Sequence, residues 1–201
     1  MPERPLVLAF DTSAAHCAAA LLSGGAVLAS VEEPMAKGQG ERLFGLLDEV
    51  LGAAGVGFGD LDALGVGIGP GNFTGIRISV AAARGLALGL GIPAVGVSGL
   101  EALALGQAGP CLCAVDARRG QVYVQGFDVA GYEAPRLVEA GVLAEVGVPV
   151  IGAGGLPPVF PLAEAMARLA AERGRGAAPA PLYLRPADAA PARDAPPEII
   201  A

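Results

Sequence analysis

One pattern occurs twice in this chain and limits the folds open to it. Leu6–Phe10 is a short apolar run of buried-strand type that ends at Asp11-Thr12-Ser13. A hairpin follows, with Cys17–Leu22 and Ala26–Val31 flanking Gly24-Gly25. The second copy starts at Cys111–Val115, ends at Asp116-Ala117-Arg118, and continues into the alternating strand Val122–Phe127 and a third at Arg136–Val138. Each copy then reaches an apolar strand that runs into glycines. These are Ala63–Ile68 before Gly69-Pro70-Gly71, and Pro149–Ile151 before Gly152–Gly155. The pattern predicts an internally duplicated α/β chain whose second copy is pared down.

Helices fill the intervals. Leu43, Leu46, Leu47, Val50, Leu51 and Ala54 recur at helical spacing over Glu41–Ala54, with Gly55 as the stop. A second helix is expected from about Thr74 to Leu90. Ala94–Val97 reads as a strand, and Ser98-Gly-Leu-Glu101 has capping-box spacing for a third helix. Phe160–Arg173 makes a fourth. The expected domains are a first lobe over 1–105, a shortened second lobe over 106–185, and an Ala/Pro-rich tail over 186–201.

Composition removes several classes of function. The 201 residues hold 13 Lys+Arg against 20 Asp+Glu, a net charge of −7, so no basic stripe suits the chain to grip nucleic acid, DNA included, by itself. One histidine allows no His-pair metal site and a single imidazole base. Three cysteines make no disulfide framework, which fits a reducing cytosol. Met1–Arg4 leads directly into the first strand without a signal-peptide layout, and the uncharged stretch Thr12–Val31 is broken by its hairpin turn. A cytoplasmic chain with no membrane segment is expected.

The glycine-rich segment Gly65–Arg77 follows a strand and opens a helix, a place where backbone donors favour an anion. It is no Walker A loop, because Gly-Lys-Ser/Thr is absent, and Gly67-x-Gly69-x-Gly71 has the wrong final spacing for a dinucleotide fingerprint. In the helix that follows, Gly75, Ser79, Ala83 and Ala87 recur every four residues. Such a row of small side chains either admits a partner helix or packs on the lobe's own sheet. Arg77 and Arg84 fall within ~20° of each other on the helical wheel. Cys111 and Cys113 share one strand face as small hydrophobes, Arg118-Arg119 reads as a solvated turn, and no Gly-x-Ser-x-Gly elbow accompanies His16.

Two strand-terminal aspartates in duplicated lobes resemble the actin-like ATPase architecture. There such loops face each other across a cleft and hold phosphate and metal through carboxylates and backbone N–H groups. Gly69-Pro-Gly-Asn-Phe-Thr-Gly-Ile-Arg77, with Phe10-Asp-Thr-Ser13, Val115-Asp-Ala-Arg118 and Pro181-Leu-Tyr-Leu-Arg185, resembles the TsaB family from about Leu6 to Arg185. The resemblance implies an actin-like ATPase (ASKHA) fold of two ribonuclease-H-like lobes. It also implies a role in making threonylcarbamoyladenosine in tRNA. The paralogue TsaD, which does the chemistry, carries a metal-binding histidine pair that this chain cannot supply. The family's histidine before the first long helix is also missing, the chain reading Lys37-Gly38-Gln39-Gly40-Glu41-Arg42.

The resemblance therefore implies a non-catalytic scaffold that activates TsaD, with TsaE as a further partner, a homodimer when alone, and tRNA met only through the complex. Asp11, Thr12, Ser13 and Asp116 mark a vestigial nucleotide cleft. No cofactor is expected to be required, and ATP or ADP would be held weakly or at an interface. The resemblance favours Gly69, Pro70, Gly71, Phe73, Thr74, Gly75, Arg77, Ser79 and Ala83 as a partner interface. Two other readings stay open, a free-standing phosphotransferase using Asp11 and Asp116 and a metallopeptidase, against which the lack of histidine pairs counts heavily.

Overall fold

In the computed structural model, which describes residues 4–185, two sheets repeat one strand order. The first runs β3 (Ala26–Pro34), β2 (His16–Ser23), β1 (Leu6–Asp11), β4 (Ala63–Gly67), β5 (Ala94–Val97). The second runs β8 (Arg136–Glu139), β7 (Gln121–Phe127), β6 (Cys111–Asp116), β9 (Val150–Gly152). In each, the Asp-ending strand pairs antiparallel with its hairpin partner and parallel with the strand that runs into glycines. The duplication is real, and the fold is the actin-like ATPase architecture with a smaller second sheet.

β1 is central and covered on both faces, which is why its residues are apolar without alternation. Leu8 and Phe10 pack toward Leu43, Leu46, Leu47, Val50 and Leu51 of α1 (Gln39–Ala53) and Ala83 of α2 (Phe73–Leu90). Val7 and Ala9 pack toward Ala165, Met166, Ala167 and Ala170 of α4 (Leu162–Arg173). Each large apolar side chain buried here contributes about 1.5–3 kcal/mol. Helix ends follow local chemistry. Asn72 Oδ1 accepts from the Thr74 and Gly75 amides (2.9 and 3.2 Å), and α2 stops at Gly91 in the left-handed region (φ 69°). α3 (Gly99–Ala104) opens with the expected Ser98/Glu101 capping box.

Helix packing crosses between the expected lobes. Leu100 of α3 packs with Cys111, Cys113 and Ile151 of the second sheet, whereas α4 covers the first. Short helices exchange sheets because an apolar face specifies that it must be covered and not which sheet covers it. Two 3₁₀ turns, Phe58–Asp60 and Ala140–Glu145, were not legible from periodicity. The expected tail, 186–201, lies outside the described residues.

Candidate functional site

A cleft of about 740 Å³ lies between the lobes. Its walls are the loop after β1 (Ser13, Ala14, Ala15), the start of α2 (Gly71, Asn72, Phe73), the loop after β6 (Asp116, Ala117, Arg118) and Leu182–Arg185. The two strand-end aspartates each precede a loop that reaches this cleft, but only Asp116 lines it, and their environments differ.

Asp11 is fully buried. Its Oδ2 accepts from the Ser13 amide (2.9 Å), the Ser13 hydroxyl (2.9 Å) and His16 Nε2 (2.7 Å). Oδ1 has no hydrogen-bond partner and sits over Gly67, where a Cβ would overlap it. The His16 side chain is 13 % exposed, and its Nδ1 lies 3.9 Å from Glu32 Oε1. Burial opposes charge on the ring, but the Asp11 hydrogen bond and the Asp11 and Glu32 charges outweigh it and raise the His16 pKa. Asp116 is exposed, and its Oδ1 accepts from the Arg118 amide at 3.0 Å. Arg118 and Arg119 form the left-handed turn beyond it (φ 63° and 56°).

Thr12 and Ser13 stitch the loop after β1 to α2. The buried Thr12 hydroxyl donates to the Gly75 carbonyl at 2.7 Å, and the Ser13 carbonyl accepts from the Asn72 amide at 2.6 Å. This approach requires glycine at 71 and 75, where a Cβ would overlap the Ser13 and Thr12 carbonyl oxygens respectively.

The small-residue row is the main correction. Gly75, Ser79 and Ala83 are buried inside the chain, with Ser79 Oγ donating to the Gly67 carbonyl at 3.0 Å. Gly69 and Pro70 are buried too, and the Leu182 carbonyl lies close to where a Cβ on Gly69 would sit. All five are covered by their own fold and present no open surface in the single chain, and in Gly75, Ser79 and Ala83 it is the small side chains that let α2 lie against β4. Gly71 and Phe73 are half-buried, and Thr74 and Arg77 are exposed. The outward face of α2 is instead Arg77, Ala81, Arg84 and Leu88, the last 87 % exposed. By length and composition α2 could cross a membrane, yet its inner face packs on the sheet.

Sequence reasoning singled out Pro181–Arg185 by its motif but missed the pairing of His16 with Asp11 and the contacts that the returning segment makes. Pairing of Asp11 with Ala18 puts residue 16 on the same sheet face as Asp11, so hairpin register held the signal. In the returning segment the Leu182 amide donates to the Ile68 carbonyl (2.8 Å). Tyr183 Oη accepts from Arg77 Nε (2.9 Å), and Arg185 donates to Gln121 Oε1 of the second lobe (2.6 Å). Arg77 also lies 3.8 Å over the Phe73 ring. The cysteines are buried, as expected for packing residues. Burial pushes the Cys17 thiol up to about 11, and burial with the neighbouring Cys111 raises Cys113.

The model of the TsaD family, described as tRNA N6-adenosine threonylcarbamoyltransferase, matches residues 31–143, more than half of the chain. Over 122 residues the chain is 38% identical to the tRNA threonylcarbamoyladenosine biosynthesis protein TsaB of Haemophilus influenzae, covering 58% of this chain and 51% of that protein. The Escherichia coli protein of the same name is 39% identical over 122 residues, covering 58% and 52%. The chain spans about half the length of the curated relatives it matches. Among solved structures, YeaZ from Pseudomonas aeruginosa superposes with a TM-score of 0.72 at 29% identity, over 90% of this chain and 100% of that one. A second Pseudomonas aeruginosa structure, titled as similar to peptidase YEAZ, gives 0.73 at 28% over the same shares.

Proposed function

Because this chain belongs to the TsaD family, we propose that it is a non-catalytic subunit of the machinery that makes threonylcarbamoyladenosine in tRNA. It would scaffold and activate the catalytic paralogue, which transfers threonylcarbamoyl from its adenylate to the adenosine next to the anticodon, with TsaE as a further partner in the cytoplasm. The observation that carries the reading is that the sequence has a single histidine, and that histidine is committed to an internal pair with Asp11. No histidine pair can be assembled from it, and its ring nitrogens are engaged with or face Asp11 and Glu32. The acidic balance supports tRNA contact through other subunits, since a net charge of −7 repels a polyanion.

The partner surface is the outward side of α1 and α2, which lie side by side. Leu88 and Phe44 are 87 % and 49 % exposed there, and α2 contains no acidic residue. Exposed apolar residues on a helix face mark an interaction surface, and on α2 Leu88 has Arg84 one turn away. In isolation the same face would support a homodimer. Leu88→Glu leaves the lone chain folded, abolishes its co-purification with the catalytic paralogue, and lowers threonylcarbamoyladenosine in tRNA. A complex that survives the substitution refutes the surface. Unchanged tRNA modification in cells lacking the chain refutes the function.

A further inference from the structure

A cleft of actin-like architecture implies a divalent cation held near the carboxylate that ends the first strand, and the residues here do not fit one. A magnesium ion needs an accessible carboxylate oxygen and room for several of its own waters. Asp11 offers neither. It is fully buried, its Oδ2 already accepts three hydrogen bonds, and its Oδ1 is pressed against the Gly67 backbone. Among the described residues no group of three or more His, Cys, Asp or Glu side chains is placed to hold a metal ion.

We propose that His16 is a built-in counter-cation, its ring occupying the position on Asp11 that a divalent cation would take and making the cleft independent of metal. The geometry is that of a charge-assisted pair. His16 Nε2 donates to Asp11 Oδ2 at 2.7 Å, shorter than an ordinary N–H···O bond. Glu32, 3.9 Å from the other ring nitrogen, adds to the negative surroundings. A carboxylate without compensation would be costly at this depth, so something positive must accompany it. The raised His16 pKa agrees with the ring taking that part. The same pair fixes the loop, because the Oδ2 that holds His16 also holds Ser13, whose carbonyl anchors Asn72 at the start of α2. The inference concerns the cleft alone and stands apart from any role in tRNA modification.

His16 is the only histidine in the sequence, so its ring resonances can be read without assignment in the full chain. With equimolar Mn²⁺ the ring signals stay sharp, since a metal held at Asp11 would lie beside the ring and erase them. Broadening that disappears in Asp11→Asn overturns the proposal. The second measurement uncovers the carboxylate. His16→Ala gains a rise in melting temperature with Mn²⁺ that the unsubstituted chain does not show, because binding to the folded state stabilises it by mass action. A folded His16→Ala chain indifferent to Mn²⁺ shows that His16 does not stand in a cation's place, and a metal-dependent rise in the unsubstituted chain that Asp11→Asn abolishes overturns the proposal directly. Should His16→Ala fail to fold, the resonance measurement on the unsubstituted chain decides.

Discussion

Gly75→Ala tests the inward direction of the small-residue row, because two opposing effects of known sign meet at that position. Alanine is favoured over glycine inside a helix by about 1 kcal/mol. Against this, the new Cβ overlaps the Thr12 carbonyl oxygen, a backbone atom that cannot swing aside as a side-chain tip would. Forcing extra volume into a packed site costs about 1–3 kcal/mol. The shift also strains the Thr12 hydroxyl bond to the Gly75 carbonyl, 2.7 Å long and worth roughly 0.5–1.5 kcal/mol net. The clash wins, and the net loss is about 2 kcal/mol. For a chain of this size that lowers the melting temperature by roughly 4–8 °C. Gly85→Ala is the matched control, since Gly85 lies in the same helix with nothing within 4 Å of its would-be Cβ. There the helix term acts alone and the melting temperature rises by roughly 2–4 °C. Both are read by thermal circular dichroism. If Gly75→Ala rises alongside Gly85→Ala, the contact between Thr12 and α2 is wrong and the row is free for a partner after all.

His16 makes stability pH-dependent with a definite sign. Its folded pKa is raised above an unfolded value near ~6.5, so its contribution is complete below that value and is lost as pH rises through the folded pKa. Denaturant unfolding should show the stability gap between the unsubstituted chain and His16→Gln shrinking toward alkaline pH, and a constant gap refutes the charged pair. Tyr183→Ala removes both the ring beside Phe73 and the acceptor of Arg77 Nε. Hydrogen exchange at the Leu182 amide should then quicken, with Tyr183→Phe intermediate because it keeps the ring. Equal exchange in all three chains would mean that Tyr183 does not hold the returning segment.

The parts of this fold that were legible in the sequence are those that a local rule determines. Ala94–Val97 and the Ser98 capping box fall where propensity and spacing place them. The repeat was legible because an apolar strand ending in Asp is uncommon enough to be noticed twice. What escaped needs information that a one-dimensional period does not carry. The helical period of Gly75, Ser79 and Ala83 gives a face but not its direction. The direction came from Thr12 and Gly67, which approach α2 only after the chain has folded. The exchange of α3 and α4 between sheets is of the same kind. His16 is different, since strand alternation with the hairpin register already placed it beside Asp11, and the pair went unread because a lone histidine in a strand usually packs without function.

The direction of α2 bears on the proposed role. An ordinary surface helix buries its large apolar residues and shows small or charged ones to water. Here part of that order is inverted. Gly75, Ser79 and Ala83 lie inside, while Leu88 stands outside with Arg77, Ala81 and Arg84. The small inner face has a local cause, the close approach of α2 to β4 and the loop after β1. The large outer residue has none among the described residues, which leave Leu88 87 % exposed. On α1, next to α2, Phe44 is also half exposed. Two exposed apolar side chains on adjacent helices, Leu88 with Arg84 one turn away, are better accounted for by a surface that another protein covers than by the stability of the isolated chain.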